Sequence, residues 1–227
     1  MRYSNIDKEK ANGVVYTPNT MAEYLAKEMV KYKTIDNASD TIKILDPAIG
    51  KGELVFALLK VIGSFCKQIE VVGYETDVNV CEETSAKLLH AFPNIRISIR
   101  NEDFLVAVEE HTTDLFDYVI ANPPYIRTQI MGSEKAQEIS SKLGLSGRVD
   151  MYYAFIVCTN SVLKNSGIAG YITSNKFLTI KSGSSVRDYI LDNYKIHQIT
   201  DLGDTKLFSA SVLPCIMVFS KGKTVDR

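Results

Sequence analysis

The residues best suited to chemistry in this chain are Asn122-Pro123-Pro124-Tyr125. They come directly after the apolar run Phe116 to Ala121, which predicts a short buried strand. Two consecutive prolines cannot donate ladder hydrogen bonds, so the strand must stop there. The turn then presents a side-chain amide, a carbonyl held by a proline ring and an aromatic ring. All lie at the carboxyl end of a strand, the edge where open α/β sheets bind ligands. An Asn carbonyl and a nearby backbone carbonyl can accept both hydrogens of one NH2 group while the Tyr ring stacks on its planar parent. That is what a site for a planar amine needs.

A second set of residues lies in the first half. The run Asp46-Pro47-Ala48-Ile49-Gly50-Lys51-Gly52-Glu53 joins a predicted strand to a predicted helix. Gly50 and Gly52 let the backbone approach a ligand and turn into the helix amino terminus. A dinucleotide fingerprint would place a third glycine at position 55, which is Val. Asp46 would repel a pyrophosphate and suits a cationic group such as an α-amino group. Glu75, with Thr76 after it, ends the next strand 23 residues after Gly52, where a carboxylate can accept both ribose hydroxyls. Asp103-Phe104 after the third strand offers an acceptor and an apolar face for adenine. Singly, each has an ordinary explanation: a solvated strand-end acid, a core Phe, turn glycines. Together they describe amino acid, ribose and adenine, and so S-adenosylmethionine.

The elements that must position these residues alternate. Strands are predicted at Ile42 to Leu45, Ile69 to Tyr74, Ile95 to Ile99, Phe116 to Ala121, Ile168 to Thr173, Ile196 to Leu202 and Val212 to Phe219. Helices are predicted at Asn19 to Tyr32 (with Asn19 and Thr20 as capping candidates), Gly52 to Cys66, Asn79 to Ala91, Asp150 to Lys164 and Ser182 to Asn193. The expected fold is α/β: a seven-stranded, mostly parallel sheet with an antiparallel last strand and helices on both faces. The last two strands have no helix-length segment between them and should form a hairpin. Residues 1–227 read as one domain, with 1–12 a flexible tail and the polar segment 126–149 a flap.

Composition narrows the class. Hydrophobic content is 45% and charged content 23%, as in globular domains, so disorder is not expected. A net charge of −1 decides nothing about nucleic acid, since a basic face can hide under a neutral total. The four cysteines lack CxxC spacing and the three histidines are far apart, so neither metal nor disulfides are expected. No run approaches the length of a membrane span, and a cytoplasmic protein is expected.

In these motifs the chain resembles a known family: the S-adenosylmethionine-dependent methyltransferases that make N6-methyladenine in DNA, in their gamma-type motif order. Val15-Tyr16-Thr17-Pro18 resembles the first cofactor motif, which implies that Thr17 contacts the methionine carboxylate. Asp46 to Gly52 resembles the glycine motif and implies cofactor roles for Asp46, Ala48 and Gly50. Glu75, Thr76, Asp103 and Phe104 match the ribose and adenine positions. Asn122-Pro123-Pro124-Tyr125 is similar to the catalytic motif, with Asn122 and Pro124 also beside the cofactor. Asp150 to Phe155 and Thr173 to Leu178 resemble later structural motifs. Phe208 stands where family members carry an aromatic that stacks on the target base alongside Tyr125.

The resemblance implies methyl transfer to the N6 amine of a flipped-out adenine, DNA as partner, and a restriction–modification setting. Arg127, Lys135, Lys142 and Arg148 in the flap are candidates for phosphate contacts. Family enzymes usually continue into a target-recognition domain, which is not expected within residues 1–227; a further domain or separate subunit would supply it. Asn-Pro-Pro-Tyr also serves enzymes acting on RNA or on a protein glutamine amide. Those substrates, and a cofactor-binding module inactive without its recognition partner, are the alternatives.

Overall fold

The computed structural model describes residues 17–33, 41–63, 68–110, 115–125, 140–141, 144, 149–203 and 213–223. Six α-helices and seven strands organise them. In chain order they are α1 (Asn19–Val30), β1 (Ile42–Asp46), α2 (Glu53–Ile62), β2 (Ile69–Tyr74), α3 (Val78–Ala91), β3 (Arg96–Arg100) and α4 (Phe104–Glu110). After them come β4 (Phe116–Ala121), α5 (Met151–Val162), β5 (Leu163–Ser174), α6 (Ser184–Asn193), β6 (Tyr194–Asp201) and β7 (Pro214–Lys221).

The strands form one sheet in the order β3-β2-β1-β4-β5-β7-β6. Neighbours from β3 to β5 pair in parallel, while β7 runs antiparallel to both β5 and β6. The α/β sheet with an antiparallel last strand is therefore the one expected, and the hairpin forms as β6 and β7. β7 folds back between β6 and β5 rather than extending the edge. All six residues of β4 are buried, as a central parallel strand covered on both faces requires.

Two cores arise from the alternation of side chains along the strands. Ile168 and Ile172 of β5 join Leu25 and Met29 of α1 and Leu54 and Leu58 of α2 on one face. Ala169 and Tyr171 join Phe104, Tyr152, Phe155 and Tyr194 on the other. Helix α1 lies close on its face: a Cβ at Gly170 would collide with the Met29 sulfur and come within 2.9 Å of Leu25. At the amino edge of the sheet, buried Asp117 accepts hydrogen bonds from Lys33 Nζ (2.6 Å), Lys164 Nζ (2.8 Å) and the Lys43 amide (3.0 Å). This ties the end of α1 to β4, β5 and β1.

Two local expectations are corrected. Asn19 and Thr20 do not cap α1: Pro18 does, with φ −59° and no side-chain bond. The Pro18 carbonyl accepts the amides of Met21 (3.0 Å) and Ala22 (3.1 Å), so the helix starts at Asn19 as predicted, with Asn19 and Thr20 inside it rather than capping it. Helix α4 is absent from the sequence-based expectation, because seven residues are too few to show a helical period.

Candidate active site

The strand order reverses direction between β1 and β4, and the carboxyl ends of these two strands carry Asp46 and Asn122. This is the switch point at which open α/β sheets leave a crevice for ligands. Parallel pairing brings the end of β2, with Glu75, and the end of β3, with Asp103 shortly beyond, to the same edge.

Asp46 is 1% exposed, and its Oδ1 accepts the Ala48 amide at 3.0 Å. Burial pushes its carboxyl up to about 8, and the nearby Glu75 and Glu53 carboxylates push in the same direction. Burial thus favours the protonated acid, and a cation brought against it would favour the ionised carboxylate. The next turn is fastened to β2 by the Ile49 amide on the Tyr74 carbonyl at 2.9 Å. Gly50 (φ +49°) and Gly52 (φ +76°) adopt left-handed backbone that side chains rarely take. Thr84 Oγ1 of α3 donates to the Gly50 carbonyl at 2.7 Å and holds the turn from outside.

Glu75 is half-buried, and its Oε1 accepts the Asp77 amide (2.9 Å) and the Thr76 hydroxyl (3.4 Å). Asp103 opens α4, its Oδ1 accepting the Leu105 amide at 2.9 Å. The Phe104 ring does not present a face to a ligand. It is 1% exposed, stacked on Phe155 at 5.7 Å and edge-on to Tyr74 at 5.4 Å. The ordinary explanation, a core aromatic, describes that ring, because α4 turns its first residue inward.

At the end of β4, Pro123 is buried while Asn122, Pro124 and Tyr125 are half-buried. Asn122 Nδ2 donates to Thr17 Oγ1 at 2.8 Å, across 105 residues of sequence. Asn122 Oδ1 accepts the Tyr125 hydroxyl at 2.7 Å. Burial raises the Tyr125 hydroxyl well above the usual phenol range, so it remains a neutral donor. The Tyr125 ring meets Tyr152 of α5 edge-on at 6.5 Å, and Tyr152 in turn meets Phe177 at 6.4 Å. Sequence reasoning names Thr17, Asn122 and Tyr125 separately but misses that they are bonded to one another. Only the prolines beside Thr17 and Asn122 hint that both residues stand at the ends of their elements, where such a contact can form.

Phe208, Arg127, Lys135, Lys142 and Arg148, together with Val15 and Tyr16, lie outside the described residues, as does most of 126–149. Among the described residues, no group of three or more His, Cys, Asp or Glu is placed to hold a metal ion. None of their helices is long and apolar enough to cross a membrane.

Comparison with known proteins gives the family of the chain. The family model of the Eco57I restriction-modification methylase matches residues 77–208. The type II methyltransferase M.BanIII of Aneurinibacillus aneurinilyticus is 38% identical over 229 residues, covering 94% of this chain and 39% of that protein. The chain belongs to the Eco57I restriction-modification methylase family. It spans less than half the length of curated relatives it matches, 39% of M.BanIII and 43% of M.BstVI from Geobacillus stearothermophilus.

Solved structures agree with this methylase fold. The methyltransferase subunit of a type I restriction-modification system from Streptococcus thermophilus superposes with a TM-score of 0.71 at 17% identity, covering 94% of this chain and 46% of that one. A protein from Listeria monocytogenes described as a class I S-adenosylmethionine-dependent methyltransferase gives 0.70 at 18% identity, covering 93% and 62%. The sheet is thus that of the class I methyltransferases.

Proposed function

We propose that this chain is the catalytic domain of a restriction–modification DNA methyltransferase that methylates the exocyclic N6 amine of an extruded adenine. The observation that carries the reading is Asn122, held by Thr17 and Tyr125 at the switch point, one strand from buried Asp46. Recognition of the target sequence is assigned to a further domain or a separate subunit, in keeping with relatives more than twice the matched length.

S-adenosylmethionine is the cofactor, and when bound it supplies an electrophilic methyl group on a sulfonium. The residues fit it. Asp46, a buried carboxyl that accepts the Ala48 amide on one oxygen, suits the α-amino group. Thr17 suits the carboxylate, Glu75 and Thr76 the ribose, and Asp103 with the Phe104 backbone the adenine. Ala48, Gly50 and Pro124 form the walls.

The chain's own part in the reaction concerns the amine. An adenine amine is a poor nucleophile because its lone pair is delocalised into the ring. Asn122 Oδ1 and the Pro123 carbonyl accept its two N–H groups and so favour a lone pair localised on nitrogen. No strong base is needed before attack, and proton loss comes after it. The acceleration comes from positioning and from fixed acceptors in a half-dry site. A base inside a duplex cannot reach this turn and must be flipped out, at a cost of a few kcal/mol. Stacking on Tyr125, joined by Phe208, offsets this by roughly 1–3 kcal/mol per aromatic contact.

Labelled S-adenosylmethionine offered to unmethylated DNA, RNA and protein in parallel tests the reading. N6-methyldeoxyadenosine is the expected product. N5-methylglutamine or a methylated ribonucleoside would move the same turn to another substrate and defeat the DNA assignment.

A further inference from the structure

The turn after β1 has glycine on both sides of Lys51, which gives a ligand room but leaves the peptide planes free to turn. Something beyond the glycines must fix those planes. From Ile49 to Gly52 every carbonyl is held. The Ile49 carbonyl accepts the Gly52 amide at 2.9 Å, and the Gly52 carbonyl accepts the Phe56 amide at 2.9 Å as α2 begins. The two carbonyls between them are held from α3. Thr84 Oγ1 donates to the Gly50 carbonyl at 2.7 Å, and Lys87 Nζ donates to the Lys51 carbonyl at 2.8 Å.

The two donors are not equal. The Lys87 side chain is exposed and also meets Glu53 Oε1 at 3.4 Å, so water competes for its bond. Thr84 is 2% exposed and touches both glycines. Its hydroxyl holds the Gly50 carbonyl, while its methyl carbon lies where a Cβ at Gly52 would come within 2.9 Å of it. A Cβ at Gly50 would meet nothing within 4 Å among the described residues. Gly52 therefore seats the turn on α3, and Gly50 faces open space. The helix is itself tied to the end of β2. Asp77 caps α3 through the amides of Asn79 (2.9 Å) and Val80 (3.4 Å), and its own amide donates to Glu75 Oε1 at 2.9 Å. Cys81 Sγ donates to the Glu75 carbonyl at 3.4 Å. Cys81, Thr84 and Leu88 follow one another at helical spacing and share one face of α3.

We infer that Thr84 is a positioning residue for S-adenosylmethionine: its hydroxyl fixes the Gly50–Lys51 peptide with the carbonyl turned toward α3. The C=O and N–H of a trans peptide point opposite ways, so holding the oxygen fixes the whole plane. Gly50 sits at φ +49° and tolerates either sign of φ, so without the hydroxyl the plane can turn over. Its oxygen would then enter the space that Gly50 leaves open. This role rests on the reading of the β1–α2 turn as part of the cofactor site.

Calorimetric titration of the chain with S-adenosylhomocysteine tests this without turnover. Thr84→Val keeps the volume against Gly52 and removes the hydroxyl, while Thr84→Ser keeps the hydroxyl and removes the methyl group. Affinity should fall roughly tenfold in Thr84→Val and stay within about threefold of wild type in Thr84→Ser. Thermal unfolding of both variants separates positioning from packing. A residue that only packs would make affinity follow stability, and the void left by Thr84→Ser would weaken binding at least as much as Thr84→Val. That order, or wild-type affinity in Thr84→Val, would overturn the role. Gly50→Val, titrated alongside, places a side chain in the open space and separates the two claims. Wild-type affinity in that variant defeats the reading of the turn as cofactor site, whereas its loss together with wild-type affinity in Thr84→Val defeats the role of Thr84 alone.

Discussion

In the proposed reaction Tyr125 and an incoming amine meet at one atom. Its hydroxyl donates to Asn122 Oδ1 in the structure, and the proposed reaction uses that oxygen for the base. Ring and hydroxyl play different parts in that proposal: the ring can stack on a base, while the hydroxyl uses one of the two lone pairs of the oxygen that would receive the amine. Tyr125→Phe should therefore stay within a few-fold of the wild-type single-turnover rate. Tyr125→Ala should lose roughly tenfold or more, matching a stacking contact of roughly 1–3 kcal/mol. Equal losses in the two variants would mean that the hydroxyl, not the ring, is what matters.

Asp46 makes a prediction about pH. Its carboxyl is pushed up by burial to about 8, far above the ordinary 3.8. Between those values the folded chain holds a proton that the unfolded chain releases. The contribution of Asp46 to stability is therefore present at low pH and falls as pH rises through the window. A cationic amine favours the ionised carboxylate. Cofactor affinity should rise with pH by up to about tenfold per unit below 8, where calorimetry should detect proton release on binding. Asp46→Asn should flatten the profile; an unchanged slope in that variant would remove Asp46 as its source.

At the scale of elements, α1 matters because it carries Thr17 to the site. Gly170→Ala should drive a methyl group into Met29 and lift the helix from β5, an overpacking cost of about 1–3 kcal/mol. Thermal unfolding should shift down, and cofactor affinity should fall with it. Adding Met29→Ala should recover part of both losses, because the two positions share one space. Additive losses in the double variant would show that the contact is not the cause.

The elements also differ in how legible they are in the sequence. β4 is readable because an all-apolar run ended by two prolines admits one interpretation. β5 reads shorter than it is: Asn165, Ser166 and Gly167 interrupt the apolar pattern, yet Leu163 to Gly167 extend the strand. Phe104 reads equally as a ligand face or a core ring, and only the direction of α4 decides for the core. The Thr17–Asn122 bond leaves no trace in spacing, since it joins the start of α1 to the end of β4 through the fold.

At the scale of the whole molecule, among the described residues the Asp117 ion-pair cluster and the candidate site lie at opposite edges of the sheet. The carboxyl edge holds Asp46, Glu75 and Asn122, while the amino edge holds Asp117 with Lys33 and Lys164. Burial opposes ionisation of Asp117, but Lys164, Lys33 and the Lys43 amide overcome it and hold its carboxyl below the ordinary value. Its stabilisation is thus complete above the ordinary carboxylate range and is lost as pH falls through the lowered value. Asp117→Ala should cost about 2 kcal/mol or more, the scale of lost hydrogen bonds to a charged group, while cofactor affinity stays near wild type. A large loss of cofactor affinity in that folded variant would show that the two edges are not separate.

The central claim is that Asn122 receives an adenine amine. It is tested most directly by incubating wild type and Asn122→Ala, each supplied with its recognition domain or subunit, with unmethylated DNA and labelled cofactor, then analysing the nucleosides. N6-methyldeoxyadenosine is expected from wild type and none from Asn122→Ala, with cofactor affinity retained in both. N6-methyldeoxyadenosine formed at a near-normal rate by Asn122→Ala would contradict the claim.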